Sequence, residues 1–213
     1  MPTPNYSFRT AGSGSWNSLS TWEMFDGTYW VPSDSIPNGL NGGTITIRSG
    51  HFVSNNSQNI DADQLVVENG ASIFISEGTL HILEGTGTDL ICDGTLNINT
   101  GSIVCDGTTE FTGNSSFNWG GMTHVGGTGT INVQPGCSFS INNNNDHALE
   151  GGVVLNNFTE CDFSSSGMFT IIDGSVFNNY GVFNISNSGN FNSTPTNGTF
   201  NNMAGGQLVK SGA

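Results

Sequence analysis

From residue 44 onward, one pattern returns so regularly that it restricts the folds open to the chain. Four-residue segments alternate polar and apolar side chains: "TITI" (44–47), "QLVV" (64–67), "SIFI" (72–75), "TLHI" (79–82), "TLNI" (95–98), "TINV" (130–133), "SFSI" (138–141), "MFTI" (168–171) and "VFNI" (182–185). A period of two marks a half-buried β-strand. Between the segments stand turn formers such as "ENGA", "SEGT", "QPGC", "IDGS" and two copies of "CDGT" (92–95 and 105–108), which leave no room for helices.

Spacing selects among the all-β folds. One inward apolar residue per segment gives Leu65, Ile73, Leu80, Leu90, Leu96, Ile103, Phe111, Phe117, Val125, Ile131 and Phe139, at steps of mostly six to eight residues. Strands of a sandwich recur less often, at roughly 8 to 12 residues. Every third position gives Leu65, Leu90, Phe111, Ile131 and Val154, about 20 to 25 residues apart. Three short strands per coil of that length predict a single-stranded parallel β-helix, a solenoid that buries its apolar faces by stacking coil on coil. Residues 85–88, "GTGT", and 142–152, "NNNNDHALEGG", are predicted to loop out of the wall.

Residues 1–43 lie outside the repeat and are rich in Trp, Pro and Ser. A solenoid end exposes its core and unpaired strand edges, so terminal units differ from the rest. The segment therefore reads as a cap, with Trp16, Trp22 and Trp30 closing the first coil of a repeat region running from 44 to 213. The competing reading makes the same indoles an exposed platform for sugar stacking. The other end, "FNNMAGGQLVKSGA", shows no comparable cap, which predicts a longer chain, a covering partner or end-to-end self-association. In the Asn-rich stretch 177–202, Phe is expected inside and Asn at bends or stacked on Asn of the next coil.

Charge excludes several functions. Seventeen acids against three basic residues, Arg9, Arg48 and Lys210, give a formal net charge of −14. Phosphate backbones and anionic membranes require clustered Lys and Arg, so no nucleic acid is expected as a partner. No apolar run reaches the roughly 18 residues of a membrane span, and the first residues lack the pattern of a secretory signal, so an export signal is expected to be absent from this segment. Cys92, Cys105, Cys137 and Cys161 form no zinc-ligand spacing. Each lies two residues from an apolar residue and is expected inside as a reduced thiol, with a stacked Cys137–Cys161 disulfide as the alternative.

Chemistry-bearing groups are sparse. Asp61, Asp63, Asp89, Asp93 and Asp106 are oxygen ligands of the kind a structural calcium ion takes, although no EF-hand or "GGxGxD" run is present. Asp89, Asp93, Asp106 and Glu110 are the candidates for a glycosidase carboxylate pair, but Asp before Gly in "CDGT" is explained by the turn. A lyase base would have to be Arg48, in a field that repels uronates. His51, His81, His124 and His147 are dispersed and expected at the surface. Ranked threonines (Thr44, Thr46, Thr79, Thr95, Thr130) raise ice binding, yet no second Thr column accompanies them. The predicted loop 142–152 supplies Asn143, Asn144, Asp146 and His147 as a contact surface.

"GSWNSLSTWE", "WVPSDSIPN", "ITIRSGHFVSN" and "DQLVVENGASIFI" together resemble the N-terminal part of secreted, right-handed parallel β-helix surface proteins, adhesin-like, of the Bacteroidota. The later G-x-F-x-N pattern is similar to repeats of bacterial surface solenoids. The resemblance implies a right-handed β-helix, export to the cell surface, and contact with glycans or other cell-surface proteins; it carries over no catalytic residue. The expectation is a non-enzymatic structural or adhesive module that requires no cofactor, with a glycan-active lyase or hydrolase as the alternative.

Overall fold

The computed structural model describes residues 6–39, 42–121, 123–186, 191–192 and 197–211. The chain is an all-β parallel solenoid of about seven turns. Each coil lays one strand on each of three faces. In the fourth coil these are Thr108–Phe111, Ser116–Trp119 and Thr123–Gly126. The next coil repeats them in parallel as Thr130–Val133, Ser138–Ile141 and His147–Leu149. In the first two coils a single long strand, Phe52–Ala62 and then Ser72–Ile82, serves the second and third faces together.

Register is kept from coil to coil. Thr108, Thr130, Val154, Val176 and Thr199 stand opposite one another in succession. Alternation sends one set of side chains inward, where they form a single core. Phe117 stacks on Phe139 at 5.0 Å and on Phe111 at 4.6 Å, and Phe177 on Phe200 at 5.2 Å. Stacked ring pairs contribute roughly 0.5–1.5 kcal/mol each beyond their burial. The four cysteines are free thiols inside this core. Cys161 lies opposite Phe139, so it is two residues out of register with Cys137 and the stacked disulfide is not formed.

Three details differ from the sequence reading. Leu65 and Leu90 are followed in register by Thr109, not Phe111, and then by Ile131 and Leu155, not Val154. Residues 142–152 do not loop out as a whole, because His147–Leu149 is a wall strand and only its flanking turns protrude. The cap carries an incomplete coil of its own: Tyr6–Thr10 and Gly14–Ser15 pair in parallel with the first coil, and Trp22–Phe25 and Trp30–Pro32 close the edge in antiparallel fashion.

At this end Trp16 and Trp22 are each 1 % exposed and meet edge to face at 4.9 Å. Trp16 Nε1 donates to the Pro37 carbonyl and Trp22 Nε1 to the Trp16 carbonyl, so both indoles are buried with their polar atoms satisfied. At the other end Gln207–Lys210 pairs with one strand only among the described residues, and Leu208, opposite buried Phe183, is 55 % exposed. No Asp or Glu follows Asp173 in the sequence.

Candidate functional site

The outward positions follow from the same alternation. On the first face Glu110, Asn132, Asn156, Asn178 and Asn201 stand in one column. Asn132 Nδ2 donates to Glu110 Oε1 at 2.6 Å, Asn156 to Asn132 at 2.7 Å, Asn178 to Asn156 at 2.9 Å and Asn201 to Asn178 at 2.9 Å. On the second face Asn142 Nδ2 donates to Ser140 Oγ, Ser140 Oγ to Asn118 Oδ1, and Asn118 Nδ2 to Asn97 Oδ1. Beside this relay runs a groove of about 220 Å³ lined by Phe74, Asn97, Asn99, Asn118, Asn142 and Asn143 together with Ile98 and Gly120.

A second concavity lies at the corner between the third and first faces. It measures about 420 Å³ and brings Glu84, Asp89 and Asp106 together with Thr108, Thr128 and Thr130. Asp89 is buried and engaged as an acceptor by Gly85 N–H, Gln64 Nε2 and Thr108 N–H. Asp106 accepts from His81 Nε2 at 2.8 Å and from both the amide and hydroxyl of Thr128. The His81 hydrogen bond holds the Asp106 carboxyl below its usual range against the opposing effect of burial, and the two Thr128 hydrogen bonds add to the lowering. His81 Nδ1 faces Asp61 Oδ1 at 3.1 Å, so one imidazole links two carboxylates, from the coils on either side of its own.

The five candidate calcium ligands therefore separate. Asp61 and Asp106 flank His81, and Asp93 accepts the Thr112 hydroxyl. Asp63 and Asp89 converge on Gly85, where a Cβ would lie 2.0 Å from Asp63 Oδ1 and 2.9 Å from Asp89 Oδ1. Asp63 Oδ1 is buried with no hydrogen-bond partner among the described residues. No group of three or more His, Cys, Asp or Glu side chains is placed to hold a metal ion among the described residues.

The remaining candidates also part company. Trp16 and Trp22 are closed to a sugar ring by their burial. Trp30 is half-buried and covered on one face by the Arg9 guanidinium at 4.3 Å, itself paired with Glu23 at 2.7 Å. Asn144 and Asp146 stay exposed on the turn, where Asn144 Oδ1 accepts from Ser166 and Asp146 Oδ1 from the Met168 amide. His147 is not a surface residue: it is 1 % exposed, with neither ring nitrogen hydrogen-bonded among the described residues, and packs edge-on to Trp119 at 5.7 Å. Burial pushes its pKa down to about 4. The ranked threonines are spread over three faces: Thr44, Thr46 and Thr130 on the first, Thr95 on the second and Thr79 on the third.

Only Asn143, among the candidates, lines the amide groove. Phe74, Asn97, Asn99, Asn118 and Asn142 complete it. A signal for Phe74 was present in "SIFI", since a phenylalanine between two inward isoleucines must face out. Comparison with protein families, curated proteins and solved structures finds no match to this chain.

Proposed function

We propose that this chain is a non-enzymatic structural or adhesive module of a secreted or cell-surface protein, presenting a rigid polar wall for contact with glycans or other surface proteins. The observation that carries the reading is the continuous column of side-chain hydrogen bonds from Glu110 to Asn201. It holds outward amides in fixed positions over five coils. Side chains ordered before contact lose little freedom on contact, which favours binding by a broad face.

The acidic corner cleft supports the alternative, a glycan-active enzyme, less well. Hydrolysis of a glycoside requires one carboxyl held protonated. Asp106 is held below its ordinary range instead, and no Arg or Lys lines the cleft to serve as a lyase base. The reading needs no cofactor, and the Asp63–Asp89 corner is where added Ca²⁺ is to be tested. Exposed Leu208 and the absence of acids from 174 to 213 suit end-to-end contact between copies of this segment.

Retention of the protein on polysaccharide-coated and cell-envelope surfaces, with and without Ca²⁺, tests the reading, each surface also being assayed for reducing ends and for near-ultraviolet absorbance of unsaturated products. Saturable retention without product is expected. Product that accumulates with wild type and disappears with Asp106→Asn would replace the reading by the enzymatic one.

A further inference from the structure

We propose that the amide groove on the second face is a binding subsite for a neutral glycan, with Phe74 as its stacking floor and Asn97 and Asn142 as its polar anchors. The proposal rests on the adhesive reading and names the ligand chemistry of one site within it.

The groove is built by register. Phe74, Asn97, Asn118 and Ser140 stand opposite one another in four successive coils. The Phe74 ring therefore lies one strand spacing, about 4.8 Å, from the Asn97 position. An outward Phe has no part in the core. Phe74 is half-buried and extends its apolar surface to Phe52 of the preceding coil, which is 42 % exposed and 6.4 Å away. An aromatic floor ringed by a few placed polar groups is the usual composition of a small-molecule site.

The relay fixes which polar atoms remain for a ligand. Asn97 Oδ1 is taken by Asn118, so Asn97 presents its Nδ2 donor. Asn142 Nδ2 is taken by Ser140, so Asn142 presents its Oδ1 acceptor. Asn143 Oδ1 is occupied by the Asn144 amide, and Asn143 also presents a donor. A sugar hydroxyl both donates and accepts, and the C–H face of a pyranose is the complement of an exposed ring. Stacked asparagines by themselves would account for the relay as wall reinforcement. They do not account for Phe74, nor for the donor and acceptor left over at the two ends.

Charge settles the class of sugar. No ionisable side chain lines the groove, and the protein carries −14 overall. A uronate or sulfate would find no cation to pair with and a field that repels it. A neutral sugar meets neither obstacle.

The test is an NMR titration of the whole chain, labelled with ¹⁵N, following the side-chain amides during addition of neutral hexasaccharides of glucose, mannose, galactose and N-acetylglucosamine, with polygalacturonate as the charged comparison. The expected result is a saturable shift of the Asn97 and Asn118 amides with at least one neutral sugar, none with polygalacturonate, and affinity at least tenfold weaker in Phe74→Ala. Because Phe74 faces out, that variant is expected to keep the wild-type backbone spectrum elsewhere; Asn97→Ala supplies a second variant at the same site. No shift with any neutral sugar, shifts confined to another surface, or undiminished binding by both variants would overturn the proposal. Surface retention that persists unchanged in Phe74→Ala would sink the groove and leave the adhesive reading standing, whereas product release would sink the adhesive reading itself.

Discussion

Asn178 and Asn179 are neighbours in the chain, yet their amides donate in opposite directions along the solenoid. Asn178 Nδ2 reaches back to Asn156 Oδ1 at 2.9 Å, on the outer wall, while Asn179 Nδ2 reaches forward to Asn202 Oδ1 at 2.8 Å, inside it. The inner column continues Ile47, Val67, Cys92, Phe111 and Val133, and changes from apolar to Asn at Asn157. There each amide finds a partner in the next coil and a backbone carbonyl besides: Asn157 bonds to Val182 and Asn179 to Gln207.

The two positions should respond differently to truncation. Asn179→Ala removes the donor of two part-buried hydrogen bonds and the acceptor of the buried one from Asn157, leaves a hole, and should cost about 2–3 kcal/mol. Asn178→Ala leaves its neighbours to water and should cost less than about 1 kcal/mol. Urea unfolding of the two variants beside wild type measures the difference; equal costs would contradict the inner and outer assignment.

His147 should make stability depend on pH. Its folded pKa of about 4 lies below the ordinary 6.5, so between these values the unfolded chain takes up a proton that the folded chain refuses. This contribution is fully present above pH 6.5, falls as the pH drops toward 4, and reaches a loss on the order of 3 kcal/mol. The group packs against Trp119 and is flanked in register by Thr123 and Phe169, and burial outweighs the Asn142 backbone and the Asp146 carboxylate, which both favour the proton. His147→Phe should flatten the dependence of the melting temperature on pH between 4 and 6.5.

Thiol reagents should find little to attack. Burial pushes Cys92 up to about 12 and Cys105 up to about 11, and raises Cys161 well above the ordinary thiol value. The thiolate is the reactive form, so these three should resist alkylation at pH 8 in the folded protein. In guanidinium chloride all four cysteines should be titrated, and mass spectrometry of the labelled peptides checks both states.

Gly121 should tolerate no side chain. Its φ is +74°, and a Cβ there would stand 1.3 Å from the Asn99 carbonyl oxygen in the coil beneath. Left-handed geometry alone costs an L-residue roughly 1–2 kcal/mol, and the collision adds to it. Gly121→Ala should therefore lose more than about 2 kcal/mol in urea unfolding, and a neutral outcome would mean that the two coils are not so closely apposed.

The proposed end-to-end contact through the exposed Gln207–Lys210 strand is tested by association. Sedimentation at rising protein concentration is expected to show a dimer that Leu208→Lys weakens. A monomer at every concentration would exclude end-to-end contact through this coil.

Much of the fold was legible because alternation and coil length are written in apolar residues. The register errors arose where polar residues point inward. Thr109 occupies a core position with its hydroxyl beside Cys105 Sγ at 3.2 Å, and its neighbour Phe111 drew the pattern two residues along. Asn157 is buried two residues after Leu155, which made outward Val154 look like the core residue. His147 alternates with buried Leu149 across Ala148, so its inward direction was readable, but four preceding asparagines suggested a loop. The amide groove was least visible, since its members lie in different coils and only register brings them side by side.

The lack of acids beyond Asp173 makes this segment electrically uneven along its axis. All seventeen negative residues lie in the stretch ending at Asp173, and the last coils carry only Lys210. Such an object has a permanent charge moment along its axis. Within a Debye length of an anionic envelope, about 8 Å in physiological salt, it experiences a torque as well as a repulsion. Of this segment, the torque turns the acidic coils away from an anionic surface and the coils after Asp173 toward it.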